Sequence, residues 1–297
     1  MKNELNRAIL GVANVGEVEL FREMARQFNY NTLARATYVE EVHKQYVEFP
    51  SSFLGGIKKI ELGDLLFITY DKSTKDLRVC VLQAKYRRKS YRKFLNCKAD
   101  IYQWELLYYK PDINNRSKMN IPKHILNFRH DYKSIAAYGI FYHDKNLSMI
   151  DFLYTIPELF TPKSLVPLPS STFSFNCPNW SVCKSTCCGC STTLCPTKLG
   201  GVPKETLFTC SMDIFEHEVL HCKVGAPIND DVIKMYILKL LNEMKRDAED
   251  SEIIDEILRD YENGYYGEIE DYKFYEGHPS AIIVITDSGK ELVSYIR

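Results

Sequence analysis

The sequence predicts a mixed α/β (α+β) fold. Two observations carry that expectation. A helical apolar period near the start gives way to two apolar runs joined by a polar turn, and another helical period and another strand follow. A third observation bounds it: prolines at 157, 162, 167, 169 and 178 interrupt the chain after residue 150, and six of the ten cysteines fall between Cys177 and Cys195. The expected organisation is a folded unit over 1–150, a Pro/Cys-rich irregular segment over 151–212, and a helical region with a terminal strand over 213–297, free to pack on the first unit.

Val18, Phe21, Met24, Ala25 and Phe28 recur at helical spacing with charges between them, predicting an amphipathic helix over 18–28. Residues 38–49 suit helix or strand, and Pro50, Ser51, Ser52, Gly55 and Gly56 end whichever forms. The runs 62–70 and 77–82 flank the polar stretch 71–76 and read as an antiparallel hairpin. Ile101, Trp104, Leu107 and Tyr108 share one side of a helix over 97–109, stopped by Pro111. A strand is expected over 135–142. Regular structure resumes over 213–222. A helix follows with Asn229 as N-cap, Asp230 and Asp231 in its first turn, and Lys245 and Arg246 near its end. Residues 281–286 read as the last strand.

With 297 residues, 45% of them hydrophobic, the chain can bury a real core, which excludes disordered and collagen-like classes. Its 38 basic and 39 acidic residues leave a net charge of -1, so any surface for a polyanion must be local. No stretch approaches the roughly 20 apolar residues that cross a bilayer. The first 21 residues lack the apolar block of a secretory signal. The expectation is a cytoplasmic protein with no membrane partner, whose cysteines are thiols or metal ligands.

The informative residues lie on the hairpin. Gln83 and Lys85 alternate along a strand and share one face, and folding about Ser73 and Thr74 sets Asp64 opposite Ala84 within a residue or two. A carboxylate, an amide oxygen and an ammonium at one hairpin end suit a hard cation and a phosphate. That is the chemistry of phosphodiester hydrolysis.

The stretch ELGDLLFITYDKSTKDLRVCVLQAKY resembles the core of the PD-(D/E)xK nuclease superfamily, the fold of many restriction endonucleases, in the variant whose second motif reads Gln-x-Lys. The resemblance implies a restriction-endonuclease-like core of helix, three-stranded antiparallel meander, helix and strand over about 1–144. It implies catalytic Asp64, Gln83 and Lys85, with Mg²⁺ or Mn²⁺ held by Asp64, Gln83 and the carbonyl of Ala84. Glu61, or one of Glu17, Glu19 and Glu23, adds a carboxylate, and Gln103 faces the site in support. Gly63 stands where relatives usually carry proline. The implied substrate is DNA, in bacterial restriction or anti-phage defence, with other defence proteins or a second copy of the chain as partners.

Three further features bear on function. Arg87, Arg88, Lys89, Arg92 and Lys93, interleaved with Tyr86 and Tyr91, suit phosphate contacts that position a duplex; the alternative is a solvated loop. Cys183, Cys187, Cys190 and Cys195, with Cys177 or Cys188 as substitutes, offer a structural Zn²⁺ quartet; free thiols are the alternative. His217, Glu218 and His221 spell HEVLH, the HExxH pattern of zinc peptidases, which also suits the flank of a short amphipathic helix. Two other functional classes therefore stand beside the nuclease: a zinc metalloprotease and a non-catalytic nucleic-acid-binding protein.

Overall fold

A computed structural model of the chain describes residues 2–9, 16–29, 34–40, 46–52, 55–87, 96–114, 121–128, 133–144, 149–162, 172–176, 209–265 and 281–287. The helices are α1 (Lys2–Ile9), α2 (Glu17–Asn29), α3 (Ile101–Tyr109), α4 (Met212–Leu220), α5 (Asp231–Met244) and α6 (Ser251–Tyr265). The strands of the main sheet are β1 (Ala34–Glu40), β4 (Leu65–Asp71), β5 (Asp76–Arg87), β7 (Ala136–Asp144), β8 (Met149–Thr155), β11 (Thr209–Ser211) and β13 (Ala281–Asp287), with β12 (Ala226–Pro227) added against β5. Strands β2 (Tyr46–Pro50) and β3 (Ile57–Glu61) form a separate ribbon. A third, small sheet joins β6 (Asn96–Asp100), β10 (Thr172–Asn176) and β9 (Thr161–Pro162).

The expected α/β class holds: this is a mixed sheet between two helical layers. The main order is β1-β13-β4-β5-β7-β8-β11. β4 and β5 are the expected antiparallel hairpin, and β5 runs parallel to β7 through a crossover containing α3, because parallel neighbours cannot be joined by a tight turn. Strand side chains alternate between two cores. Leu66, Ile68, Tyr70, Val79, Val81, Tyr138, Val284 and neighbours pack with α3, α5 and α6. Leu65, Phe67, Cys80, Leu82, Phe141, Ile283 and neighbours pack with Phe21, Met24 and Phe28 of α2 and with Phe215 and Val219 of α4. Burial on both faces explains why residues 65–70 read as an apolar run interrupted only by Thr69, whose hydroxyl donates to the Val224 carbonyl at 3.1 Å.

Several expectations change. The ambiguous span 38–49 contains the end of β1 and most of β2, and neither pairs with β4: β1 pairs with β13, and β2 with β3. Among the described residues the antiparallel meander implied by the family resemblance is therefore not formed. β13, from the far end of the chain, lies beside β4 instead, in parallel. β8 straddles residue 150, where the sequence suggested a boundary, and the sheet continues through it to β11. The third helix begins at Ile101 rather than Cys97, because the Asp100 side chain accepts hydrogen bonds from the N–H groups of Tyr102 and Gln103 and so caps it there. The cap of α5 is Asp230, not Asn229; it accepts from Ile233 N at 2.9 Å.

Candidate functional site

β5 outruns β4, and this creates the site. Leu65, the first residue of β4, pairs with Leu82, while residues 83–87 continue against β7 alone. The backbone N–H groups on the vacated side need other acceptors. Asp64 Oδ2 accepts from Ala84 N at 2.7 Å, and Glu17 Oε1, from the start of α2, accepts from Tyr86 N at 2.6 Å. Within a strand the N–H and C=O of one residue point to the same neighbour, so the Ala84 carbonyl opens toward Asp64 too. The hairpin closes with Asp71 opposite Asp76, which brings Asp64 level with Gln83, one residue from the expected partner.

Gln83 Nε2 also donates to Asp64 Oδ2, while Gln83 Oε1 is buried with no partner among the described residues. A buried amide oxygen without a donor is costly, and a cation is one way to satisfy it. Lys85 lies two residues on, on the same face as Gln83, and its charge acts on Asp64. Burial pushes the Asp64 carboxyl up to about 6; Lys85 opposes the rise, Glu61 adds to it, the Ala84 N–H opposes it, and Glu17 adds to it. The site thus gathers Asp64, Gln83, Ala84 and Lys85, with Glu61 and Glu17 close enough to be felt.

Other positions are supporting. Gln103 does not reach Asp64; its Nε2 donates to the Glu61 carbonyl at 2.8 Å and so holds the link from β3 to β4 on which Asp64 sits. Gly63 is required in that link, because a Cβ there would meet Val81 Cγ1 at 2.6 Å. Glu19 bonds the Gly16 N–H at 2.9 Å, and Glu23 accepts from Gln27, so neither is turned to the hairpin end. Two residues were missed. Tyr138, the β7 partner of Gln83, buries a hydroxyl with no partner among the described residues, raised well above the tyrosine range by burial first and then by Cys97, Asp100 and Asp64. Glu105 is buried and accepts from Ser51 Oγ, Ser52 N and Ser52 Oγ, fixing the turn after β2. Tyr138 and Glu105 lie among apolar or helix-forming neighbours, and nothing in the local pattern marks them.

Arg87 ends β5, whereas Arg88, Lys89, Arg92 and Lys93 lie outside the described residues. So do Cys183, Cys187, Cys190 and Cys195. The described cysteines Cys80, Cys97, Cys210 and Cys222 are buried and unbridged, and burial pushes the Cys80 thiol up to about 12, where it is no nucleophile. In HEVLH, α4 ends at Leu220, so His221 is its C-cap. Glu218 is buried, and its Oε1 meets His217 Nδ1 at 3.3 Å. It is turned toward its own neighbour rather than toward a water shared by two zinc-bound histidines. Among the described residues no three His, Cys, Asp or Glu side chains form a metal-holding group, so the oxygen set at the hairpin end depends on Gln83 and a backbone carbonyl. No described helix is long and apolar enough to cross a membrane.

Known protein families, curated proteins and solved structures contain no match to this chain.

Proposed function

We propose that this protein is a divalent-metal-dependent endonuclease hydrolysing phosphodiester bonds in DNA, acting at the end of the β4–β5 hairpin. The observation that carries the reading is the convergence of the Asp64 carboxylate, the Gln83 Oε1 that has no partner among the described residues, the Ala84 carbonyl and the Lys85 charge on one side of β5. Three oxygens of this kind fit a hard cation that keeps some of its waters, and Asp64, Gln83 and Ala84, helped by Glu61, would hold Mg²⁺ or Mn²⁺. Such an ion, when bound, lowers the pKa of water and offsets charge on a phosphoryl oxygen.

The chain's own groups do the rest. In hydrolysis, water adds to phosphorus, a P–O ester bond breaks, and the leaving oxygen takes up a proton. The Lys85 ammonium sits beside the negative charge that develops on the phosphoryl oxygens and offsets it. Gln103 keeps the Asp64 link in place through the Glu61 carbonyl. The basic run after Lys85 supplies phosphate contacts that orient the duplex. A role in bacterial restriction or anti-phage defence is the biological setting that this family resemblance suggests.

Purified protein incubated with plasmid and Mg²⁺ or Mn²⁺ tests the proposal. Wild type should cleave, and Asp64→Ala and Lys85→Ala should each lower the rate by on the order of 10²-fold or more while leaving the fold intact. Full cleavage by Lys85→Ala refutes the assignment. DNA binding without cleavage under either metal makes the protein a non-catalytic nucleic-acid binder.

A further inference from the structure

Two buried polar atoms without partners come from facing positions on neighbouring strands. Gln83 on β5 and Tyr138 on β7 are register partners in a parallel pair, so their side chains leave the same face of the sheet. Gln83 Oε1 and the Tyr138 hydroxyl are each buried with no partner among the described residues. Either atom alone is costly to leave unpaired. Their chemistry is complementary: an amide oxygen only accepts, and a phenol hydroxyl donates.

The two side chains differ in freedom. The Tyr138 ring packs on Phe160 at a centroid distance of 4.4 Å; Phe160 in turn stacks on Phe175 at 4.6 Å, and its carbonyl accepts from Trp104 Nε1 at 2.6 Å. The hydroxyl is therefore held in place. Burial first, and then Cys97, Asp100 and Asp64, oppose its ionisation, so it stays a donor. The Gln83 amide is held by one bond, from Nε2 to Asp64 Oδ2, an oxygen that also accepts from Ala84 N. Asp64 thus restrains the amide with Oε1 unpaired, and its charge acts on the Tyr138 hydroxyl as well.

We propose that Tyr138 is the positioning residue for Gln83: when Asp64 gives its oxygens to a divalent cation, the Gln83 amide turns, accepts from the Tyr138 hydroxyl on one lone pair of Oε1, and presents the other lone pair to the ion. This rests on the metal site of the nuclease reading. A neutral amide is a weaker ligand for a hard cation than a carboxylate, and nothing in its own charge aims it. A donor fixed behind the oxygen both aims and polarises it, as the outer partners of other metal ligands do. Tyr138 thereby compensates for the neutral residue at position 83, and in the same turn both buried atoms gain partners.

Calorimetric titration of the full chain with Mn²⁺ at pH 8, where Asp64 is ionised, tests this in wild type, Tyr138→Phe, Gln83→Ala and their double variant, with Asp64→Ala marking the site. Tyr138→Phe removes one oxygen and keeps the ring on Phe160. It should weaken Mn²⁺ binding by roughly 10-fold when Gln83 is present and leave it unchanged in the Gln83→Ala background, because the hydroxyl acts only through the amide. In ¹³C-tyrosine-labelled wild type, Mg²⁺ should shift one Cζ resonance that Tyr138→Phe lacks. Wild-type affinity in Tyr138→Phe, an equal loss with and without Gln83, or absence of that shift overturns the inference and leaves the nuclease reading standing. Equal binding by wild type and Asp64→Ala removes the metal site and overturns both.

Discussion

Replacing Asp64 with Asn should stabilise the protein at alkaline pH, because the wild-type carboxylate is held where its charge is poorly solvated. The Asp64 carboxyl stands at about 6 in the fold against an ordinary 3.8, and burial is the main cause. Between those values the folded chain binds more protons than the unfolded chain, so this group's contribution to stability falls as pH rises through the window and stays lost above it. At ~1.4 kcal/mol per pH unit the ionised group costs up to about 3 kcal/mol. Asn keeps an acceptor for the Ala84 N–H, and its amide can donate to Gln83 Oε1 once the Gln83 side chain turns, giving that buried oxygen a partner. Thermal unfolding of the two proteins from pH 4 to pH 8 measures the difference. The variant should gain up to about 6 °C at pH 8, taking roughly 2 °C per kcal/mol for a chain of this size, and almost nothing at pH 4. Mn²⁺ at pH 8 should raise the wild-type midpoint and leave the variant's alone, and that metal gain should shrink below pH 6 as protons compete for the carboxylate. Equal midpoints at pH 8, or the same gain at both ends of the range, would refute the buried-charge argument.

Gln83→Glu should strengthen Mn²⁺ binding by adding a second carboxylate to the oxygen set, and should lower metal-free stability at pH 8 through like-charge contact with Asp64; calorimetry and melting curves report the two effects separately. Gln103→Ala removes the donor to the Glu61 carbonyl and should cost about 1 kcal/mol, with weaker Mn²⁺ binding because the Asp64 link loosens; unchanged binding would detach Gln103 from the site. Replacing Arg87, Arg88 and Lys89 with Ala should weaken binding to all DNA sequences alike and reduce the slope of log K against log salt by about 2.7, at roughly 0.9 for each phosphate the variant no longer neutralises; an unchanged slope would mark the run as a solvated face.

The legibility of this chain follows the distance over which each feature is determined. The hairpin was readable because its two strands, its turn and its polar end all fall within 61–85, and a polar pair interrupting an apolar strand is a local signal. The register fell within the expected margin of a residue or two, and its exact value is fixed by the turn closing at Asp71 and Asp76, where the Asp71 side chain accepts from Ser73 N and Thr74 N. Residues 281–286 were readable as a strand, yet nothing in them names β4 as a neighbour: a parallel partner is chosen by the whole sheet, not by its own pattern. The same non-locality hid Tyr138, whose position beside Gln83 exists only after α3 has carried the chain across to β7.

This contrast also explains why the candidate site lies where it does. β4 stops at Leu65 while β5 runs on to Arg87, so the sheet itself leaves two N–H groups without strand partners and draws two carboxylates, Asp64 and Glu17, to cover them. A sheet built for stability alone would extend β4 or end β5 early. Here the chain keeps the overhang, places beside it an amide whose oxygen has no partner among the described residues, and sets a lysine where its charge acts on the buried acid. The buried acid and the Gln83 Oε1 without a partner among the described residues are unfavourable for the fold by themselves, and Lys85 offsets only part of the first cost; under the proposed reading, a cation and a phosphate would relieve both.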